Sequence, residues 1–360
     1  MSRISFVNLL SVLALILLGS QELLSATVTY AVGTCKPGLH SYSTITAALS
    51  AVPSPNVVLV CPGTYREQVE ITLPVALQGV ASSNTDQAIV FPPPNGFVAN
   101  ASDDYGDLLA VQIFVNNVVG PVNISNLTFD AQGQGAYPAR TVGIFYQNSP
   151  GTVNQVTTRY QNDSMVGGGE GIYIEGGASN PTVTVENSSV HEYFTIGIHA
   201  ETNTATSQLT AIIKGNYVNG GSGVTGGIQI AQGTTSTVSN NYVLNNAAEG
   251  IPVFGAVGGS VSGNVLVNNW IGILSQGDAV SVTSNKIFES FEAIESASMA
   301  AIQGNTIVQS AVGVEFVCIA NPNVHSNTIS DTATGIKDVP GAIASPNSYF
   351  NVGTIRTGGC

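Results

Sequence analysis

Charged side chains are scarce in this 360-residue chain, at 9% of the residues, and basic ones are the scarcest. Lys and Arg together number 9 against 22 Asp and Glu, so the formal net charge is −13. Binding to a nucleic-acid backbone depends on clustered Lys and Arg that neutralise phosphates. The sequence offers no such cluster, and we exclude nucleic acid as a partner.

Long apolar runs are also missing after the N-terminus. Arg3 precedes a nearly continuous apolar run over residues 6–18, and small residues follow at Ser25 and Ala26. That run is shorter than a membrane-spanning helix needs and lies at the chain terminus. We therefore predict a secretory signal peptide over residues 1–26, no span in the mature chain, and a secreted, periplasmic or cell-surface location.

Cysteine is limited to four residues, two towards each end of the chain. Their spacing is not of the metal-binding type, and an even number in an exported chain favours disulfides. We predict the pairs Cys35–Cys61 and Cys318–Cys360. The alternative is that one or both pairs stay reduced.

Glycine, asparagine and β-branched residues are abundant instead, a composition that favours many short strands and tight turns. From residue 143 onward, Gly-Ile or a close variant recurs every 20 to 30 residues. A second series advances in step with it: Asn216, Asn241, Asn264, Asn285, Asn305 and Asn327. Two such markers predict a stacked solenoid. The asparagines should stack at a corner where Asn tolerates left-handed φ and bonds from rung to rung.

One elongated domain accounts for residues 27–360. Residues 27–80 are predicted to form the N-terminal cap and first rungs, residues 140–340 the regular repeats, and residues 341–360 a C-terminal tail. Residues 42–52 are the one convincing helix, because apolar residues recur there at helical spacing and Ser43 suits an N-cap. This helix should cap the open end of the solenoid.

Two segments resemble the opening of known right-handed parallel β-helix proteins. They are residues 42–49, Tyr-Ser-Thr-Ile-Thr-Ala-Ala-Leu, and residues 58–71, which contain Pro-Gly-Thr-Tyr-Arg-Glu. Both are similar to the pectin-lyase-like superfamily, and the second is especially close to pectin methylesterases. The later repeats resemble those of polysaccharide lyases, hydrolases and the periplasmic copper-related NosD group. The resemblance implies an all-β, right-handed parallel β-helix of about ten to twelve rungs.

The catalytic motifs of these families are not found. The methylesterase strand with its Asp is absent, as are the His and Arg-Lys elements of polygalacturonases and the calcium-binding Asp runs of pectate lyases. A lyase would also need a base and a cation beside the sugar carboxylate. An acidic protein repels a polyanion unless calcium bridges them.

Alternation along each Gly-Ile strand predicts which residues face outward. The inward ladder is Ile144, Ile172, Ile198, Ile228, Ile251 and Ile273. The residues after these form an outer column of Phe145, Tyr173, His199, Gln229, Pro252 and Leu274. Two positions further on, the column reads Gln147, Glu175, Glu201, Ala231, Phe254 and Gln276.

This alignment predicts a candidate site on consecutive rungs. Rungs lie about 4.8 Å apart, so Glu175 and Glu201 could approach at the separation of a retaining glycosidase pair, with mutual repulsion raising one pKa. The alternative is two ordinary solvated carboxylates, or a cation site. The candidate substrate-binding residues are Tyr173, His199, Phe145, Gln147 and Gln229.

Residues 91–106 are predicted to be a loop thrown out from an early rung. Its acidic residues Asp103 and Asp104, with Asp107, could hold calcium, so calcium is the one cofactor considered; a solvated loop is the alternative. No other metal site is indicated. The next region to consider for a ligand contains Arg140, Arg159 and Lys214.

Two functional classes follow. The first is an exported protein that binds a polysaccharide and, as a lyase or glycoside hydrolase, cleaves or modifies it. The second is a non-catalytic surface or periplasmic scaffold or adhesin of the NosD kind. The sequence leaves open whether the protein is an enzyme, which sugar it takes and its oligomeric state.

Overall fold

The computed structural model describes residues 27–81, 87–161, 168–202, 208–221, 226–276, 280–317, 323–337 and 346–358. The predicted signal peptide and the predicted Cys318–Cys360 pair lie outside these residues. Among the described residues, no helix is long and apolar enough to cross a membrane.

The described chain forms three long sheets whose strands come from successive repeats. The first sheet contains β1 (Thr29–Val32), β2 (Ser41–Tyr42), β3 (Val57–Val60), β6 (Val75–Gly79), β10 (Val122–Ser125), β13 (Gly151–Asn154), β16 (Thr182–Glu186), β19 (Leu209–Lys214), β22 (Thr234–Ser239), β25 (Gly258–Ser262), β28 (Val280–Thr283), β31 (Ile302–Gln303) and β34 (Val324–His325). The second sheet contains β4 (Gly63–Arg66), β7 (Ala88–Phe91), β11 (Thr128–Asp130), β14 (Thr157–Arg159), β17 (Ser189–His191), β20 (Tyr217–Asn219), β23 (Tyr242–Leu244), β26 (Val265–Val267), β29 (Lys286–Phe288), β32 (Thr306–Val308), β35 (Thr328–Ser330) and β37 (Ser348–Phe350).

The third sheet carries the Gly-Ile strands. It contains β5 (Val69–Ile71), β8 (Ala101–Ser102), β9 (Leu108–Asn116), β12 (Arg140–Gln147), β15 (Gly169–Glu175), β18 (Ile196–Glu201), β21 (Gly226–Ile230), β24 (Glu249–Phe254), β27 (Ile271–Gln276), β30 (Glu292–Ser296), β33 (Val312–Phe316), β36 (Thr334–Lys337) and β38 (Thr354–Arg356). Strands pair in parallel along each sheet, whereas β8 pairs with β9 in the antiparallel sense. The sheets have 13, 12 and 13 strands, so the parallel β-helix reaches the upper end of the predicted rung number.

The predicted isoleucine ladder forms the core of the solenoid. Ile144, Ile172, Ile198 and Ile228 are in register on adjacent strands, and all are fully buried. Ile251 and Ile273 continue the same buried row. Each ladder residue packs against inward residues of the other two sheets in one continuous apolar cluster. Burying a branched side chain of this size contributes about 1.5–3 kcal/mol, so the ladder fixes the register that the outer columns share.

The repeat glycines are required by close approach between rungs. A Cβ at Gly197 would lie 2.7 Å from the carbonyl oxygen of Gly227, and one at Gly227 would lie 2.5 Å from that of Gly250. Real side chains do not tolerate such contacts. Of the two reasons for a glycine at this position, collision or positive φ, collision is therefore the operative one.

The asparagine series stacks at a corner between the first and second sheets. In Asn241, for example, the backbone N–H and the Nδ2 both donate to Oδ1 of Asn264, at 2.9 and 3.0 Å, while Nδ2 also donates to the carbonyl of Ile213. The left-handed residue is the one before each ladder asparagine, such as Asn240 at φ 56°. The ladder was predicted correctly, but the left-handed φ was assigned to the wrong position.

The capping helix is shorter than predicted. Helix α1 spans Ile45–Leu49, with Thr44 rather than Ser43 as its N-cap. The Glu67 carboxylate accepts the N–H groups of Ile45 and Thr46 at 2.8 and 3.0 Å, which fixes where the helix begins. Residue 52 precedes a proline and so disfavours helical dihedrals. The predicted helix over residues 42–52 is therefore wrong at both ends.

The predicted disulfide at the N-terminal end is present. Cys35 and Cys61 are bonded, which ties the segment after β1 to the end of β3. Because the bond joins two chain segments of the capped end, it constrains the part of a solenoid that otherwise frays first.

Candidate functional site

The outer column of the third sheet is a stack of rings on consecutive rungs. Phe145, Tyr173 and His199 are in register, and Gln229 follows His199. The Phe145 and Tyr173 rings lie 4.7 Å apart, and the Tyr173 and His199 rings lie 4.8 Å apart, both nearly parallel. The register set by the isoleucine ladder therefore places one ring on the face of the next.

Two carboxylates lie beside this stack, one rung apart. Glu175 and Glu201 are paired in register. The Tyr173 hydroxyl donates to Oε1 of Glu201 at 2.6 Å and lies 3.4 Å from Oε1 of Glu175. Gln147 donates from Nε2 to Oε2 of Glu175 at 2.9 Å. A single phenol thus bridges the two acids that the sequence singled out.

A second set of charged side chains lies beside the ring stack, near the N-terminal ends of the same strands. Arg140 donates to Oε1 of Glu170 at 2.7 Å, and it forms a short ion pair with Asp103. The other oxygen of Glu170 lies 3.3 Å from Nδ1 of His199, and His199 Nε2 lies 3.6 Å from Glu201. We call the following seven residues the strapped cluster: Asp103, Arg140, Glu170, Tyr173, Glu175, His199 and Glu201.

The strap is the segment of residues 97–107, which crosses the outside of the third sheet. The Asp104 N–H donates to Oε1 of Glu175 at 2.7 Å, and the Ser102 carbonyl accepts from Gln147 at 3.0 Å. The Tyr105 hydroxyl accepts from Gln232 at 3.2 Å. The predicted loop is thus bound to the rungs that carry the carboxylate pair.

Because of the strap, the outward-facing side chains of the candidate site are covered rather than solvated. Tyr173 is 0% exposed, Glu175 1%, His199 4% and Glu201 8%. Phe145 is buried as well, in a small apolar cluster outside the core of the β-helix. Gln147 and Gln229 are half-buried and lie at the margin of the cluster.

Asp103, one of the acidic residues considered above as a calcium ligand, has a structural role in the strap. One oxygen of Asp103 accepts the N–H groups of Tyr105 and Asp107 at 3.1 and 2.9 Å, and the other pairs with Arg140. Asp103 therefore closes the strap and anchors it to the sheet. Within the described ranges, no group of three or more His, Cys, Asp or Glu side chains is arranged to hold a metal ion.

Arg159 and Lys214 lie elsewhere on the solenoid. Arg159 pairs with Asp130 on the second sheet, and Lys214 pairs with Glu186 on the first. Of the three basic residues considered as an alternative region, only Arg140 belongs to the cluster.

Burial and pairing drive the pKa values of the two carboxylates in opposite directions. Burial raises the pKa of Glu175 to about 7, although bonds from Asp104 and Gln147 oppose the rise. Burial would also raise the pKa of Glu201, but its bonds with His199 and Tyr173 outweigh this and lower it. Mutual repulsion, the predicted cause of a raised pKa, is therefore not the main one. The two pKa values differ because each carboxylate has different hydrogen-bond and charge partners.

The imidazole of His199 is held in its charged form. Burial lowers the pKa of His199, but Glu170 and Glu201 more than offset this and raise it to about 9. At neutral pH the cluster thus contains an imidazolium, a guanidinium, an ionised Glu201 and a Glu175 whose raised pKa lets it carry a proton.

Sequence reasoning missed Glu170 as a member of the site. Its equivalents on the neighbouring rungs are Val142, Ile196 and Gly226. A carboxylate flanked by apolar residues on both neighbouring rungs is a detectable signal, although Glu249 and Glu292 occupy the same column on later rungs. Asp103, which shares Arg140 with Glu170, could not be found in this way, because the repeat does not encode where a loop contacts the sheet.

The comparisons with known proteins agree with this architecture. A family model described as right handed beta helix region matches residues 111–287. The surface adhesin PfbA of Streptococcus pneumoniae is 15% identical over 84% of this chain and 85% of its own, with a TM-score of 0.59. DFA-IIIase from Arthrobacter chlorophenolicus A6, in complex with GF2, is 14% identical over 83% and 81%, with a TM-score of 0.50.

A search of curated proteins by sequence found no match. At these low identities the solved structures show the fold alone. Together with the family match and the three parallel sheets, they establish what the opening segments and the repeats implied. The chain is a right-handed parallel β-helix repeat protein.

Proposed function

We propose that this protein is exported, binds a neutral polysaccharide along the third sheet, and hydrolyses its glycosidic bonds at the strapped cluster. The observation that carries the proposal is the carboxylate pair. Glu175 and Glu201 sit one rung apart, share one phenol and have pKa values shifted in opposite directions. A protonated acid beside an ionised carboxylate is the arrangement that glycoside hydrolysis requires.

In this mechanism Glu201 is the nucleophile and Glu175 the acid. A Glu201 oxygen bonds to the anomeric carbon as the glycosidic bond breaks, and Glu175 gives its proton to the departing oxygen. Water then attacks the same carbon and releases Glu201, while Glu175 takes the proton from that water. The net change is addition of one water, with retained configuration because the carbon is displaced twice.

Substrate reaches the pair when the strap is displaced. Beside the strap lies an open groove of about 450 Å³, whose polar lining includes Asn100, Asn116 and Gln147. Gln147 touches both the strap and Glu175, so it links the groove to the carboxylates. Both faces of the Tyr173 ring stay covered by Phe145 and His199, so Tyr173 would act through its hydroxyl, which bonds to Glu201.

The charges favour a neutral glycan and hydrolysis over elimination from a uronate. Arg140 is the one guanidinium of the cluster, and it is already paired with Asp103 and Glu170. The other cation of the cluster, the His199 imidazolium, is likewise paired with Glu170 and Glu201, so both charges are already neutralised by carboxylates of the protein. The chain as a whole carries a net charge of −13, which repels a polyanion.

The buried ionic groups also argue for a function other than stability. Taking charges out of water costs several kcal/mol per ion, and apolar groups of similar size often stabilise as well or better. The adjoining rungs show this alternative, since Phe114 and Phe145 stack in the same column.

The test is a screen of neutral oligosaccharides with product analysis. Cellohexaose, xylohexaose, mannohexaose and laminarihexaose are incubated with the parent protein, Glu175→Gln, Glu201→Gln and a control, Glu295→Gln. Glu295 lies on the same sheet beyond the cluster, aligned with Leu274. We expect cleavage with retained configuration by the parent and the control, and a loss of about 10³-fold in both cluster variants.

A second candidate function is a non-catalytic surface protein. It is favoured by the burial of the carboxylates and by the partners that the protein itself supplies to them. In that case the parent binds a saccharide without cleaving it, and the two variants bind it equally well. Cleavage that survives in both glutamine variants would instead refute the assignment of the pair.

A further inference from the structure

A pair of exposed aromatic rings marks the corner between the second and third sheets, away from the strapped cluster. Trp270 and Phe291 lie on consecutive rungs, with ring centroids 4.4 Å apart and planes within 13°. They are 54% and 45% exposed, respectively. Trp270 leads into β27, four strands beyond β15 in the sheet, which places it about 19 Å along the axis from Tyr173 at the usual rung spacing.

At this corner, the rung before Trp270 carries two alanines instead of a ring. Trp270 donates its backbone N–H to the Asn246 carbonyl, and Ile271 donates to that of Ala248, so the alanines at 247 and 248 align with Trp270. Phe291 covers one face of the indole, and the other face points towards Ala247. The space there is an open cavity of about 340 Å³, with Gly221 and Ala247 among its lining residues. One rung is about 4.8 Å, so the gap is a slot one ring deep.

Polar side chains surround this slot in fixed orientations. Asn245, Asn268 and Glu289 all have left-handed φ, which turns them outward at the same corner. Asn268 donates from Nδ2 to Oδ1 of Asn245 at 2.9 Å, and Asn245 donates to Asn219 at 3.0 Å. Within the part of the chain that the structure describes, the Oδ1 of Asn268 and the Glu289 carboxylate have no hydrogen-bond partner. The rim therefore presents acceptors that are ready for hydroxyl donors.

We propose that this slot is a saccharide-binding subsite that takes one neutral sugar ring. The CH face of the sugar packs on the free face of Trp270, and its hydroxyls donate to Asn268 and Glu289. The carboxylate disfavours an anionic sugar, and the aromatic wall disfavours a small hydrated ion. This subsite goes beyond the proposed hydrolysis, because it holds whether or not the strapped cluster is catalytic.

The chain provides its own reporter for the test, since Trp270 is its only tryptophan. The intact protein is titrated with the four neutral hexasaccharides and with an anionic control, galacturonan hexamer. We expect a saturable blue shift of tryptophan emission with at least one neutral oligosaccharide, and none with the anionic one. The Glu175→Gln/Glu201→Gln double variant should show the same shift, which separates this subsite from hydrolysis.

Variants on both sides of the slot sharpen the result. Ala247→Phe fills the slot and leaves Trp270 in place, so the emission shift should disappear. Asn268→Ala and Glu289→Gln should each raise the Kd about threefold to tenfold. The matched control is Tyr217→Ala, which removes one ring of another exposed stacked pair, Tyr217 and Tyr242, on the second sheet.

Three outcomes would overturn the proposal. The first is the lack of a saturable shift with every neutral oligosaccharide, and the second is parental binding by Ala247→Phe, Asn268→Ala and Glu289→Gln. The third is a shift that depends on protein concentration without sugar and is abolished by Ala247→Phe. That result would assign the slot to contact between two copies of the chain.

Discussion

The early and late rungs of the third sheet share the same interior and differ on the outside. Inside, Ile198 and Ile273 occupy the same buried row. Outside, the early rungs carry Tyr173 and His199 under a strap, whereas the later ones carry Leu274 and its neighbour Pro252. The isoleucine ladder fixes only the register of the strands, so the outward-facing residues can differ from rung to rung. In a β-helix, function should therefore be sought where the outside departs from its own repeat.

Repeat length marks the same division. The Gly-Ile intervals are 28, 26 and 30 residues over the early rungs and 20 to 23 afterwards. The strands of the third sheet also shorten, from eight residues in β12 to five in β30, so the difference in repeat length is shared between strands and connections. Connections carry function more readily than the strands they join.

The largest expected difference between the regions concerns buried charge. Arg140→Met leaves Glu170 and Asp103 buried without their guanidinium, and breaking a buried ion pair in this way costs about 3–5 kcal/mol. Lys214→Met is the control, because half of the Lys214 side chain is exposed (50%) and its pair with Glu186 contributes at most about 1 kcal/mol.

Urea denaturation of both variants measures the two free energies of unfolding. A similar small loss in each would mean that the cluster is not a tightly coupled buried network.

The next expected effect is a fall in stability as the pH rises. The pKa of His199 in the folded state, about 9, exceeds its ordinary 6.5, so its stabilising contribution is complete below pH 6.5 and lost as the pH rises through 9. The whole shift corresponds to about 3 kcal/mol. The pKa of Glu175, about 7, exceeds its ordinary 4.5, so the folded state also loses stability between these two values.

Thermal unfolding across this pH range checks the prediction. His199→Gln should flatten the profile between pH 6.5 and 9, and Glu175→Gln should flatten it between 4.5 and 7. His325→Gln, which alters an imidazole on the first sheet, should keep the parental shape. A His199→Gln profile that still falls as steeply as the parent would rule out the imidazolium.

The smallest expected effect concerns the strap itself. Tyr105→Phe removes one hydrogen bond to Gln232, which contributes about 0.5–1.5 kcal/mol. Hydrogen exchange should quicken at the Asp104 amide, whose N–H is bonded to Glu175. Amides of the isoleucine ladder, such as that of Ile198, should exchange as in the parent. Unchanged exchange at Asp104 would show that Tyr105 does not hold the strap closed.

The sequence was a good guide wherever periodicity determines structure. The spacing of Ile172 and Ile198 predicted their register, and the same alternation predicted that Tyr173 and His199 would lie side by side on the outer face. Neither prediction needs knowledge of the loops. The asparagine ladder was predictable for the same reason.

Prediction failed where distant segments meet. The strap crosses to Glu175 from 71 residues away, and no repeat encodes that contact. The helix predicted over residues 42–52 was too long, because contacts of Thr44 and Glu67 determine where the helix begins. The burial of the carboxylate pair, and hence its pKa values, followed from these long-range contacts rather than from the column itself.

The most direct test of the central claim is to titrate the two carboxylates themselves. Protein labelled with ¹³C at the glutamate side-chain carboxyls is followed by NMR from about pH 3 to about pH 9, and the resonances are assigned by their loss in Glu175→Gln and Glu201→Gln. The account predicts that Glu175 titrates near pH 7 and Glu201 below its ordinary value of 4.5. Titration of both carboxylates together near 4.5 would contradict it.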